Sequence, residues 1–454
     1  MLFSFETLQQ LFPNGEGENK FTHINEIVLD SREVSNNGLF IPIVGERFNA
    51  HDFIEQAINN GVVATLWERD YPVPNHLKEK CYFFFVNDTI VGLQQLANYY
   101  RKEINPTVIG ITGSNGKTST KDLVSAVLQT TYKTHYTKGN YNNHIGLPLT
   151  ILQMQRDTEV LVVEMGMSDF GEINRLTSIA EPDYAIITNI GESHIEYLGS
   201  REGIAKAKLE ILNGLCDDGT IIVDGDELLL RNLPTKHEVI YCGFSMKDEN
   251  SYDVTDVSIN LDSTTFSVQN ERYTIPLIGK HHAKNAAYAI AIAKKLKVSE
   301  TDIQKGFNQV EHSGMRFEQL VSKRGAVIIN DAYNASPTSM IGAIEVIKSL
   351  SNFKKKILVL GDIFELGERA EAFHKQIAES IDDSIDFVFT LGENASIITS
   401  EIIKRNSSTI GKHFESKDAL IYELTPLLGK NVIVLFKASR GMAFEKMVSE
   451  IISA

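Results

Sequence analysis

The sequence predicts an α/β protein of three domains, and three observations carry that prediction. A chain of 454 residues is too long for one hydrophobic core and suits three domains of ordinary size. Short continuous apolar runs recur with helical stretches between them, as a parallel sheet buried on both faces requires. That rhythm starts near residue 108 and again near residue 327, which sets two large α/β units behind a smaller first one.

The elements follow in order. Residues 27–30, residues 38–45 and a helical run from Asp52 read as a small α/β unit occupying 1–86. The central unit, 87–313, holds apolar runs at 108–112, 160–163, 184–188 and 221–223. Alternation between 254 and 278 reads as antiparallel strands, and an Ala-rich helix is expected over 281–296. The last unit, 314–454, restarts with runs at 327–329, 357–360, 387–390 and 432–435, a second doubly wound, Rossmann-like arrangement.

Composition narrows the function classes. A net charge of −15 argues against a non-specific grip on nucleic acid or anionic membrane. No apolar stretch approaches the roughly 20 residues a membrane span needs, and the first residues lack a signal peptide's basic start. Cys81, Cys216 and Cys242 show no metal-like spacing and read as reduced thiols. The expectation is a cytoplasmic, monomeric protein with no nucleic-acid partner and no membrane insertion.

Gly113-Ser114-Asn115-Gly116-Lys117-Thr118-Ser119 follows the run at 108–112 and opens a helix. Glycines let backbone N–H groups turn inward on phosphate oxygens, and the helix N-terminus adds partial positive charge. Lys117 can reach the β- and γ-phosphates, and the Thr118 hydroxyl can ligate Mg²⁺. The strict spacing asks for glycine where Ile111 stands; Gly110 and Gly113 flank it. An ordinary Gly-rich turn is the bland alternative.

Glu164 closes the run at 160–163, and His194 follows the run at 184–188. In open parallel sheets, ligands bind beyond the carboxyl ends of the strands. If these strands are neighbours, both side chains converge on Lys117 and suit Mg²⁺. Taken singly, Glu164 could be a solvated strand end and His194 a hydrogen-bonded loop residue. Lys208 shares a helical face with Ile204, Ile211, Leu212 and Leu215, so it interrupts an apolar stripe. It reads either as a snorkelling lysine at the stripe's edge or as a desolvated amine able to take up CO₂ as a carbamate.

Together these pieces resemble the Mur ligase superfamily, the ATP-dependent amide ligases of cell-wall precursor synthesis. The resemblance rests on residues 112–118, on 139–148, on Thr-Asn-Ile-Gly-Glu-Ser-His at 188–194 and on Ala-Lys-Leu-Glu-Ile around Lys208. It continues through Gly279 to Asn285, Arg316 in Met-Arg-Phe-Glu and Asp331 in Asn-Asp-Ala-Tyr-Asn, so it spans nearly the whole chain. It implies ATP, two Mg²⁺ ions, Glu164 and His194 as metal ligands, and a carbamylated Lys208. It also implies Asn285, Arg316, Asp331 and Asn334 on the nucleotide, and a UDP-binding role for the first domain. Glu164 to Ile173, Asn330 to Pro337 and Gly361 to Gly367 look like the branch that adds D-alanyl-D-alanine to a UDP-N-acetylmuramoyl-tripeptide. Ser336 and Ala438 depart from that branch's usual Asn and Gly, which touches the shape of the acceptor pocket more than the chemistry. On this reading Lys437, Ser439 and Arg440 receive the dipeptide carboxylate, and Asn140, Asn142 and Asn143 line the substrate side. Ser31, Arg32, Asn49 and His51 are the candidates for the UDP end. Two rivals stand beside it: a related ligase with another acceptor, including a folate polyglutamylating enzyme, and a P-loop regulatory module with no ligation chemistry.

Overall fold

The computed structural model describes residues 1–244, 250–311, 314–405 and 407–453. Three sheets form its frame. A five-stranded sheet runs Gly15–Glu16, Tyr82–Val86, Val62–Glu68, Gly38–Phe40, Glu26–Val28 in spatial order, with a two-stranded ribbon of Phe3–Ser4 and His23–Ile24 beside it. A nine-stranded sheet occupies the centre and a six-stranded sheet the last third of the chain.

The central sheet positions the site. Thr107–Thr112 lies between Val160–Glu164 on one side and Tyr184–Ile187 on the other, all parallel. Glu164 is level with Ile111, and Ile187 with Thr112, so all three strands end at the same height. Every residue of Val160–Glu164 is buried, which explains a run with no polar alternation. Helices cover both faces: Lys117–Leu128 packs with Lys280–Lys295 on one, Thr89–Ile104 with Gly146–Leu152 on the other. The alanines of Lys280–Lys295 are buried, and their small side chains let that helix approach closely.

The antiparallel strands expected after residue 254 are Tyr252–Ile259, Thr264–Val268 and Glu271–Ile275. They extend the central sheet, because Cys242 and Gly243 pair in parallel with Tyr252 and Asp253. Besides Val62–Glu68, Tyr82–Val86 and the two-residue strands of the first domain, four strands escape the sequence reading: Thr134–Tyr136, Glu238–Gly243, Glu318–Val321 and Ile410–Phe414. Three of them are sheet edges with half-exposed side chains, so no continuous apolar run marks them. The boundary expected at residue 313 falls outside the described residues.

The third sheet runs Glu318–Val321, Val327–Asn330, Val432–Lys437, Lys355–Gly361, Phe387–Leu391, Ile410–Phe414, parallel except for its first strand. The carboxyl ends of Val327–Asn330, Lys355–Gly361 and Val432–Lys437 lie side by side. They lead to Asp331, Asp362 and Ala438, at the edge of the cleft facing the central sheet.

Candidate active site

The loop after Thr112 has the backbone a phosphate cradle needs. Gly113 and Gly116 adopt φ of +151° and +78°, which side-chain-bearing residues rarely take. A Cβ on Gly113 would sit 1.8 Å from Thr188 Oγ1, so the position excludes any side chain. The loop is tied to the neighbouring strand end. Asn115 N–H donates to Asn189 Oδ1 at 3.0 Å, Thr188 Oγ1 to Asn115 O at 2.6 Å, and Gly191 N–H to Ser114 Oγ at 2.9 Å. Gly116 caps the helix Lys117–Leu128, whose first turn presents Thr118 and Ser119. Lys117 Nζ donates to Gly113 O at 2.7 Å, folded back over its own loop. Burial lowers its proton affinity, Glu164 opposes that, and the Arg316 cation adds to it.

Glu164 is 2% exposed and held on three sides. Thr118 Oγ1 donates to its Oε2 at 2.7 Å and Asn142 Nδ2 to its Oε1 at 2.8 Å, while its own N–H donates to Thr137 Oγ1 at 3.0 Å. It is therefore not a solvated strand end. A buried carboxylate bonded to the phosphate loop's hydroxyl is an oxygen pair suited to a hard divalent cation.

His194 heads the short helix Ile195–Leu198 with a left-handed backbone, φ 63°. Its Nδ1 lies 2.5 Å from Glu365 Oε2 of the third domain. Burial lowers its proton affinity, Glu365 opposes that, and the cations of Lys117 and Lys208 reinforce it. Lys208 is 2% exposed, which discards the snorkelling alternative. Ile204, Ala205, Ala207 and Lys208 form the buried face of helix Arg201–Leu209, so the lysine lies within that face rather than along its edge. Among the described residues its Nζ has neither a carboxylate nor a hydrogen-bond partner. Burial holds it well below the ordinary lysine value, and Lys117 lowers it further.

The third domain closes the cleft. Ser336, the N-cap of helix Pro337–Ser349, donates through Oγ to Asn115 Oδ1 at 3.0 Å, and Thr338 Oγ1 donates to Glu192 Oε2 at 2.6 Å. The Arg316 guanidinium lies 3.7 Å from the centre of the Tyr333 ring. Among the cleft's buried polar atoms without a hydrogen-bond partner in the described residues are the Nδ2 atoms of Asn115 and Asn285. Asn285 Oδ1 would be 3.0 Å from a Cβ on Gly116, so this amide sits against the phosphate loop. Orphaned buried donors beside such a loop are what an absent ligand's acceptors would satisfy.

Other candidates have structural partners. Asp331 is paired to Lys437 Nζ at 2.5 Å and accepts from Phe317 N–H at 3.1 Å, and Lys437 also donates to Asn334 O at 3.3 Å. Lys437 and Ser439 are buried, the latter accepting from Phe364 N–H at 2.9 Å, so neither is a solvated strand end. Arg440 is exposed and reaches Glu445 at 3.4 Å. Asn334 and Asn140 are exposed, whereas Asn143 Oδ1 accepts from the N–H groups of Ile145 and Gly146 where the helix Gly146–Leu152 begins.

In the first domain, Asn49 caps the 3₁₀ turn Ala50–Phe53 and His51 stacks on Tyr71 with ring centres 4.2 Å apart. Ser31 donates to Gln56 Oε1 of the following helix Ile54–Asn59 at 2.8 Å, and Arg32 pairs with Asp30 in solvent. The buried His51 Nε2 has no partner among the described residues.

The sequence reading does not single out Glu192, Thr338 and Glu365 as cleft residues; Ser336, noted there for its effect on the acceptor pocket, bonds to the phosphate loop. Glu192 and Glu365 lie inside stretches it had already singled out, 188–194 and 361–367, but only the fold sets them across the cleft from each other's domain.

A nucleotide-type loop, a buried carboxylate, a histidine and an unpaired lysine at neighbouring strand ends, faced by a second α/β domain, match one family. The Mur ligase middle domain matches residues 111–293, the Mur ligase family catalytic domain 23–100 and the Mur ligase glutamate ligase domain 315–440. The chain belongs to the Mur ligase family.

Over 438 residues it is 46% identical to the UDP-N-acetylmuramoyl-tripeptide–D-alanyl-D-alanine ligase of Bacillus subtilis, covering 95% of this chain and 94% of that one. It is 32% identical to the enzyme of the same name from Escherichia coli, covering 97% of each. Its fold matches a crystal structure of MurF from Acinetobacter baumannii with TM-score 0.88 at 28% identity, covering 99% and 98%. MurF ligase from Thermotoga maritima in complex with ADP matches with TM-score 0.82 at 29% identity, covering 94% and 97%.

The residues present fit Mg²⁺. Among the described residues, no group of three His, Cys, Asp or Glu side chains is poised to hold a metal. Mg²⁺ asks for less: it is commonly held by one or two carboxylates and takes its other ligands from phosphates and water. Thr118 and Glu164 supply that minimum, and His194 lies close enough to feel the charge of Lys117.

Proposed function

We propose that the chain joins D-alanyl-D-alanine to the terminal carboxylate of a UDP-N-acetylmuramoyl-tripeptide, consuming ATP through an acyl phosphate. The chemistry rests on one observation: the phosphate loop, Glu164, His194 and an unpaired buried Lys208 share one cleft. The choice of acceptor rests on the full-length likeness to the Bacillus subtilis enzyme.

The loop's N–H groups and Lys117 hold the triphosphate, with Lys117 leaving its contact with Gly113 to do so. Asn285 supplies its free amide to the nucleotide, and Arg316, set by Tyr333, covers it from the third domain. Thr118, Glu164 and His194 would hold Mg²⁺, which offsets the charge between the attacking carboxylate and the γ-phosphate. The neutral Lys208 amine would add CO₂, forming an N–C bond and releasing one proton, to become a second anion in the cleft.

The substrate carboxylate then attacks the γ-phosphorus and ADP leaves. The amine of the dipeptide adds to the acyl carbon, and phosphate departs from the tetrahedral adduct. Contacts of Ser336 and Thr338 with the central domain keep water from the acyl phosphate. Arg440, which is exposed, would meet the acceptor carboxylate, while Lys437 and Ser439 brace the strand end behind it. Ser31, Arg32 and His51 in the first domain would take the UDP end, with the unpaired His51 Nε2 offering one polar contact.

Phosphate release measured with ATP and a UDP-muramoyl tripeptide tests the acceptor. It is expected to depend on D-alanyl-D-alanine and to stay at background with single amino acids. Equal turnover with a single amino acid would transfer the chain to another branch of the family, and no turnover with any acceptor would leave nucleotide binding alone.

A further inference from the structure

Glu365 has no part in the scheme above, yet it makes a close contact between the domains at the reacting centre. Its Oε2 lies 2.5 Å from His194 Nδ1, a close charge contact without hydrogen-bond alignment, and its backbone oxygen accepts from Glu196 N–H at 3.2 Å. Both partners carry left-handed backbones, Glu365 at φ 61° and His194 at φ 63°. Non-glycine residues hold that conformation where surrounding structure over-determines it, commonly at functional sites. Gly367, also left-handed at φ 55°, lets the loop lie against Glu196, whose Cγ would be 3.4 Å from a Cβ there. Asp362 anchors the loop from behind by accepting from Ala395 N–H at 2.7 Å, and Ser439 fixes Phe364.

A second, oppositely directed contact flanks the first. There the carboxylate of Glu192 comes from the central domain and Thr338 from the third. The two domains therefore exchange carboxylates across the cleft, one of them directly onto His194.

A histidine that ligates a metal through one ring nitrogen is normally fixed through the other by a carboxylate or carbonyl, which sets its rotation and its ligating nitrogen. Here that second group arrives from another domain. We infer that Glu365 is a positioning residue for His194, delivered by the third domain, so that the central domain's metal-side imidazole is set only when the domains meet. The inference rests on the assignment of His194 to the metal in the ligase reading.

The test is Mn²⁺ binding, followed by the loss of free-ion signal in electron paramagnetic resonance, to full-length protein holding a non-hydrolysable ATP analogue. Glu365→Ala is expected to raise the Mn²⁺ concentration for half-saturation by about 10–100-fold, the usual effect of removing such a support. Glu365→Gln, which keeps the shape and one acceptor oxygen, is expected to fall between; it decides the matter if the alanine variant does not fold. In a His194→Ala background, Glu365→Ala is expected to add nothing. Titrations superimposable on the parent, or effects that add fully to those of His194→Ala, would overturn the inference. No acceptor is turned over in this measurement, so failure of the ligase reading shows up separately, as absent ligation in the parent protein.

Discussion

Lys208→Met is expected to abolish ligation and to stabilise the protein at the same time. The loss follows from removing the amine that the proposed scheme turns into the second anion of the cleft; deleting one such electrostatic group typically lowers kcat by about 10²–10³-fold. The gain follows from burial. An amine 2% exposed with no anion beside it among the described residues costs folding energy, and an apolar side chain of similar length does not.

The sign with pH is fixed by the direction of the shift. Burial holds the folded-state value well below 10.5, so the unfolded chain binds the extra proton between the two values, and stability rises with pH through that window. The benefit of methionine is therefore largest at low pH and fades as pH nears 10.5. Its size is about 1–3 kcal/mol, in the range seen when buried charges give way to apolar groups. Coupled ADP release gives kcat, and urea unfolding in bicarbonate-free buffer at several pH values gives stability. Lys208→Ala leaves space that short carboxylic acids can fill, and partial recovery of turnover with them is expected. Full activity in either variant would remove the carbamate from the scheme.

Glu164→Ala is expected to be nearly as severe for turnover but to act oppositely on stability. It removes the carboxylate shared by the Thr118 hydroxyl and the Asn142 amide, leaving one buried and one half-buried donor without an acceptor. The buried Thr118 hydroxyl alone costs about 1–3 kcal/mol when left unsatisfied, so the variant should unfold earlier as well as lose about 10²–10³-fold in kcat. The KM for ATP should move far less, because the loop's N–H groups and Lys117 remain. Glu164→Gln, which can still accept from Thr118, should recover stability without recovering turnover. Normal kcat in the glutamine variant would show that the charge at this position is not used.

Most of this was legible before any coordinates, because the strongest signals are local. The runs at 108–112, 160–163 and 184–188 mark strands buried on both faces, and Gly113 to Thr118 directly after the first marks a phosphate loop. What a sequence cannot state is which strands are neighbours. The convergence of Glu164, His194 and Lys117 was conditional on that adjacency, and the order Tyr184–Ile187, Thr107–Thr112, Val160–Glu164 supplies it. Lys208 was ambiguous for a different reason: a helical stripe shows which face a lysine occupies but not what covers that face. Edge strands such as Glu318–Val321 left no signal, since half their side chains meet solvent. Lys437 and Ser439 look like ordinary polar residues after a strand, yet both are buried braces. Contacts between domains, Glu365 on His194 above all, depend on how two separately folded units meet, which no local pattern encodes.

The central claim is that the loop around Lys117, the acid at 164, the imidazole at 194 and the amine at 208 surround one triphosphate. A crystal structure with a non-hydrolysable ATP analogue, Mn²⁺ and bicarbonate tests it most directly, using the anomalous signal of manganese. Manganese peaks are expected beside the phosphates, one within bonding distance of Thr118 and Glu164, with extra density continuous with Lys208 Nζ. Phosphates bound in the loop with manganese elsewhere and a bare Lys208 amine would contradict it.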